Sequence, residues 1–236
     1  MKFISLPLIT FLAASFIGLN SCRNTIKLTP GSEAIKLPEI GNAAAASLAG
    51  VSLIVQAQAW EGNPMIEEHV TPLRVTIKNN SGKAIKLCYS DIALISNSGK
   101  IFAALPPYAV QDTIQETGPL AYPEIVDPTF FYDGFSIAPY YSPRYNGLET
   151  FDGLFPYNQP YYDQHYEYWA ETPLPTTDML QKALPDGVIY NDGKVIGFLY
   201  FEAVPAQIQK LIFRMNVINA ENGEILGMIS IPFIAH

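Results

Sequence analysis

Two blocks of this chain show a two-residue alternation of apolar and polar side chains, and the segment between them lacks it. In "PLRVTIKNN", Leu73, Val75 and Ile77 alternate with Arg74, Thr76 and Lys78. Successive side chains of a strand point to opposite faces, so this run predicts a strand with one face buried and one in water. "VSLIVQAQAW" places Val51, Leu53, Val55, Ala57 and Ala59 on one face. Near the C-terminus, "KVIGFLYFEA" sets Val195, Gly197, Leu199 and Phe201 opposite Ile196, Phe198 and Tyr200. "KLIFRMNVIN" and "EILGMISIPF" follow, joined by the turn signal Ala220-Glu221-Asn222-Gly223. About seven such runs, separated by turn signals and not alternating with long helices, predict an all-β fold, an antiparallel β-sandwich.

The connections fit this scheme. The tetrapeptide Asn-Ser-Gly-Lys occurs at Asn80–Lys83 and again at Asn97–Lys100. A phosphate-cradling loop would need Walker spacing, which is missing, so both copies predict hairpin turns with Gly82 and Gly99 at positive φ. One short helix is predicted at "TTDMLQKAL", capped by Thr176 or Thr177, with Met179, Leu180, Ala183 and Leu184 on its apolar face and Pro185 ending it.

At the N-terminus, Lys2 precedes the apolar run "FISLPLITFLAASFIGL" and then small or polar residues. That order is a secretory signal, and Pro7 and the short length argue against a retained transmembrane helix. Residues 1–21 are therefore expected to be a signal peptide. The residues around its end, Leu19-Asn20-Ser21-Cys22, resemble the bacterial lipoprotein signal, the lipobox. The resemblance implies a lipid on the Cys22 sulfur, cleavage before Cys22, and a membrane partner held through that anchor. Arg23 resembles an outer-membrane sorting signal, which implies the bacterial cell envelope and the outer membrane as location. Residues 22–50 read as a tether or linker, with Pro30, Gly31 and Pro38 early and "NAAAASLAG" late. Ile40 to Trp60 carries no charge, but its Ala and Gly content and Gln56 and Gln58 favour linker then strand over a membrane span. Residues 51–236 are then the sandwich domain.

"TPLRVTIKNNSGKAIKL", "DIALISNSGKIFAALPP", "LPDGVIYNDGKVIGFLYFE" and "NGEILGMISIPF" resemble the Ig-like sandwich of many envelope lipoproteins and of DUF4352-like domains. The likeness covers the two flanks, about half the chain. It implies a fold and a location, and brings no catalytic motif.

Charge narrows the partners. The chain has 22 Asp and Glu against 14 Lys and Arg, with no basic run, which excludes a nucleic-acid face. Only Cys22 and Cys88 exist. With Cys22 carrying lipid, Cys88 is expected to be a buried free thiol, behaving as a small apolar residue.

The segment 129–172 breaks the pattern. It holds nine of the fourteen tyrosines, several prolines and Trp169. It reads as an insertion without strand or helix periodicity. Its rings carry large apolar area and must pack on something. Three readings follow: a cover over the sandwich, a surface for a protein partner, or a glycan-stacking platform of Tyr140, Tyr141, Tyr161, Tyr162 and Trp169. Glu149, Asp152, Asp163 and Glu167 are the carboxylates a glycoside hydrolase would pair. "YDGF" and "FDGL" lack calcium-loop spacing, His165 with Asp163 and Glu167 is too sparse for zinc, and HExxH, CxxC and G-x-S-x-G are absent. The expectation is a structural or binding module without catalytic residues, metal or cofactor; the alternative is a glycan-binding or glycan-hydrolysing protein.

Overall fold

The computed structural model describes residues 26–64, 66–106, 130–145, 147–171 and 177–236, with backbone alone at 143–144, 166–171 and 177. It is an all-β, antiparallel, sandwich-like fold with short helices. Twelve strands join in one sheet that bends over itself. They are β1 (Leu28–Pro30), β2 (Ile35–Leu37), β3 (Ala43–Leu48), β4 (Val51–Gln56), β5 (Val70–Asn79) and β6 (Ile85–Leu87). Then come β7 (Ile92–Ser96), β8 (Ile101–Leu105), β9 (Phe131–Ile137), β10 (Gly187–Glu202), β11 (Lys210–Asn219) and β12 (Ile225–Ala235). The order runs β1-β12-β11-β7-β8-β10-β5-β4-β3-β2, with β6 against β10 and β11 and β9 against β10.

The expected alternation holds. Leu73, Val75 and Ile77 are buried while Lys78 is exposed, and Val51, Leu53 and Val55 are buried while Ser52 is exposed. Each such side chain taken from water contributes roughly 1.5–3 kcal/mol. β10 differs beyond Ile196, where both faces are buried. The reason is a second cover. Helix α3 (Thr177–Lys182) lays Met179 over this face, followed by Ala183 and Leu184. Tyr200 donates its hydroxyl to the Met179 carbonyl at 3.1 Å, and Trp60 meets Phe198 and Tyr200 edge-on.

Several boundaries need correction. The tether expected over 22–50 is folded from residue 28 on, so the sandwich begins there and not at 51. β1 pairs with β12, Leu28 opposite Ala235, which buries Leu28 in the core. The alanine run becomes β3, a hairpin partner of β4, with Leu48 opposite Val51. Its turn, Ala49-Gly50, has both φ positive, the type I′ geometry that follows strand twist. Small side chains let Ala43 and Ala44 be fully buried. Three of the strands beyond the seven that alternation reveals, β1, β2 and β6, are three residues each, too short to show a period; the others are β3, the alanine run, and β9, inside the aromatic segment. Helices number three among the described residues, not one: α1 (Ile66–His69), α2 (Gln159–Glu171) and α3. None is long and apolar enough to cross a membrane.

The repeated tetrapeptide serves two purposes. Gly82 and Gly99 both take positive φ, as expected. Only the second copy closes a hairpin, β7–β8, with Ile95 opposite Ile101. The first carries the chain from β5 to β6, which does not pair with it. Buried Asn79 holds this crossover, donating to the Lys83 carbonyl at 2.7 Å and the Ile189 carbonyl at 2.9 Å.

Candidate functional site

The aromatic segment is partly sheet. β9 pairs with β10 through Ile137 opposite Gly187 and Phe131 opposite Ile196, so 131–137 is no addition to the sandwich. A 3-10 turn, Pro139–Arg144, follows and presents Tyr140 and Tyr141 inward. α2 then forms where the prolines argued against a helix. Pro160 sits in its first turn, where a missing N–H costs nothing. Asn158 caps it, its side-chain oxygen accepting the Tyr161 N–H at 3.2 Å. Tyr162 and His165 are buried and Tyr161 half-buried, with Asp163 and Gln164 exposed on the other side.

These elements converge on Asp186, a fully buried carboxylate just before β10. Its Oδ1 accepts the Tyr89 N–H at 2.7 Å. Its Oδ2 accepts the hydroxyls of Tyr140 at 2.7 Å, Tyr141 at 3.4 Å and Tyr162. The Tyr140 and Tyr162 hydroxyls lie 3.2 Å apart. Burial raises the Asp186 carboxyl from its usual 3.8 to about 6, against the pull of these donors. Burial first, and the Asp186 charge second, push the phenols of Tyr140, Tyr141 and Tyr162 well up, so they stay protonated and donating. The rings pack on one another: Tyr140 meets Tyr141 at 4.7 Å, and Tyr157 stacks on Tyr162 at 4.8 Å.

Of the five aromatic residues singled out from sequence, Tyr140, Tyr141 and Tyr162 meet at one carboxylate. Tyr161 points beside them and donates to the Ala104 carbonyl of β8. Trp169 lies in α2, and its side chain falls outside the described residues, as does Cys22. Among the described residues, these rings do not form an open platform. Tyr141 and Tyr162 are each 2% exposed, whereas Tyr157 is 48% exposed. Asp186 itself, masked in the sequence by an Asp-Gly pair that reads as a turn, offers no open face: four donors occupy its oxygens and no solvent reaches it.

Of the remaining candidates, the Glu167 side chain falls outside the described residues. Glu149, Asp152 and Asp163 are exposed. His165 pairs with Glu202 at 3.5 Å and with the Tyr161 carbonyl at 2.7 Å. Its burial works against the charged form, but these partners prevail and raise its pKa. No group of three or more metal-ligating side chains gathers among the described residues. Cys88 is buried and free, 3.2 Å from the Ser90 hydroxyl, and burial with the Asp186 charge pushes its thiol to about 12. A thiol reagent at pH 8 is therefore expected to label Cys88 only after denaturation; rapid labelling of the native protein would contradict this burial.

Compared with protein-family models, with curated proteins and with solved structures, the chain matches none.

Proposed function

We propose that this protein is a lipid-anchored module of the bacterial cell envelope, held through Cys22 and acting as a structural or protein-binding domain. The observation that carries the reading is the inward docking of Tyr140, Tyr141 and Tyr162 on Asp186. It makes the aromatic segment a cover for one end of the sandwich. A glycan platform would need rings lying side by side in solvent. The lipobox-like Leu19-Asn20-Ser21-Cys22 and the resemblance to Ig-like envelope lipoproteins support the location. Each buried methylene of a lipid chain contributes about 0.8 kcal/mol, so several acyl chains hold a domain of this size on a bilayer.

Mass spectrometry of membrane-extracted protein is expected to show residues 1–21 missing and a diacylglyceryl adduct on Cys22. An intact leader, or a free Cys22 thiol, removes the anchor. Crosslinking in the native envelope then identifies the neighbour: a recurrent protein supports the binding module, whereas co-purifying glycan would favour the alternative.

A further inference from the structure

We infer that the outer face of the layer formed by β1, β12, β11, β7 and β8 lies on the bilayer, docked on anionic lipid headgroups. This deepens the anchored-module reading and rests on it. Leu28 opens β1 only six positions after Cys22. Six residues reach at most roughly 20 Å fully extended, so a lipid on Cys22 keeps β1 close to the headgroups. β1 is the edge strand of this layer, and its Thr29 lies opposite Ile234 of β12.

Register defines what that face presents. Pro232 lies opposite Ile212, Ile212 opposite Ile95, and Ile95 opposite Ile101. Directly opposed residues share a face, so these four form one apolar row across β12, β11, β7 and β8. The row points outward, because the alternate residues Leu211, Phe213, Leu94 and Phe102 are buried. Ile101 is 60% exposed.

Charge selects the occupant. In a chain of net charge −8, these five strands contain no Asp or Glu. Lys210 and Arg214 of β11 stand on the same outward rows, Lys210 opposite Ile234 and Arg214 opposite Ser230. Lys27 extends the edge, exchanging backbone hydrogen bonds with His236. None of these three cations forms an ion pair among the described residues. An apolar row flanked by unpaired cations fits the headgroup boundary: aliphatic side chains enter it while ammonium and guanidinium groups meet phosphate. A competing surface within reach lies beside Ile26. It carries Glu67, with Glu68 next in sequence, and anionic headgroups repel it.

The test uses the full lipidated chain in vesicles of phosphatidylethanolamine and phosphatidylglycerol. Cys22 carries lipid and Cys88 is buried, so an introduced cysteine takes the dye. Ile101→Cys reports on the proposed face, and Thr76→Cys on the outer face of the opposite layer. With nitroxide-labelled headgroups, quenching at Ile101→Cys is expected to be several-fold stronger than at Thr76→Cys. Adding Lys27→Glu and Lys210→Glu, or raising salt, should shrink that difference. Equal quenching at both positions, in a chain that floats with the vesicles and has the lipidated mass, overturns the docking face and leaves the anchor standing. A chain with a free Cys22 sinks both. A dye at Ile101→Cys already shielded in detergent, with a doubled mass by light scattering, assigns the face to a second copy and overturns the proposal.

Discussion

Asp186→Ala is expected to destabilise the protein by about 3–5 kcal/mol, because several buried donors lose their acceptor at once. The substitution strands the Tyr89 N–H and the tyrosine hydroxyls that converge on the carboxylate. Each buried donor left without an acceptor costs about 1–3 kcal/mol. Urea unfolding measures the loss, and a change under about 1 kcal/mol would show that the carboxylate does not hold the segment. Asp186→Asn keeps two acceptor sites and should lose less.

The same residue sets a pH dependence. Its carboxyl is raised from 3.8 to about 6, so the native state holds the proton more tightly than the unfolded chain. The stability from this group is full below the unfolded value and is lost as pH rises through about 6. A shift of that size corresponds to roughly 3 kcal/mol at about 1.36 kcal/mol per unit. Between pH 4 and 7, the wild type should therefore lose stability relative to Asp186→Asn, which has no such step. Parallel pH profiles for the two proteins would contradict the burial described.

Gly187→Ala is expected to cost roughly 3 kcal/mol, because the added methyl has nowhere to go. A Cβ there would sit 2.3 Å from Phe135 Cζ and 2.4 Å from the Ser136 carbonyl oxygen. The Phe135 ring can turn; the Ser136 backbone cannot move without taking β9 with it. Amide exchange of Ile137, bonded to the Glu149 carbonyl, should accelerate as β9 shifts. Gly223→Ala is the contrast. Its position has positive φ but open space, so only the roughly 1–2 kcal/mol of left-handed strain applies. Equal losses at the two glycines would mean that β9 yields without resistance.

Much of the sheet was legible because half-buried strands write their faces into the sequence. Leu73, Val75 and Ile77 needed nothing beyond alternation. The alanines of β3 did not reveal a strand, since alanine carries weak preference and their burial depends on β4 beside them. β10 obscured its second face because Phe198 and Tyr200 are covered by α3, a contact made only in three dimensions. The aromatic segment was half legible. Its tyrosines had to pack on something, and Tyr141, Tyr145 and Tyr162 are buried. Asn158 followed by Pro160 is a helix start that proline count alone hides. Asp186 was out of reach: "PDG" spells a turn, and only the fold brings Tyr140, Tyr141 and Tyr162 to it.

β10 sits at the middle of everything, bordered by β5, β6, β8 and β9. Its pairings are long in sequence: Val195 lies opposite Ile77, and Glu202 opposite Val70. During synthesis, β1 to β9 leave the ribosome before the strand that joins them exists. Hairpins such as β3–β4 can form early, but the two layers cannot close until the last quarter of the chain has appeared. Non-local pairing of this kind slows folding because loop closure precedes its reward. Under the export proposed above, delay has a use: a polypeptide that cannot fold until it is nearly complete stays threadable through a narrow translocation channel.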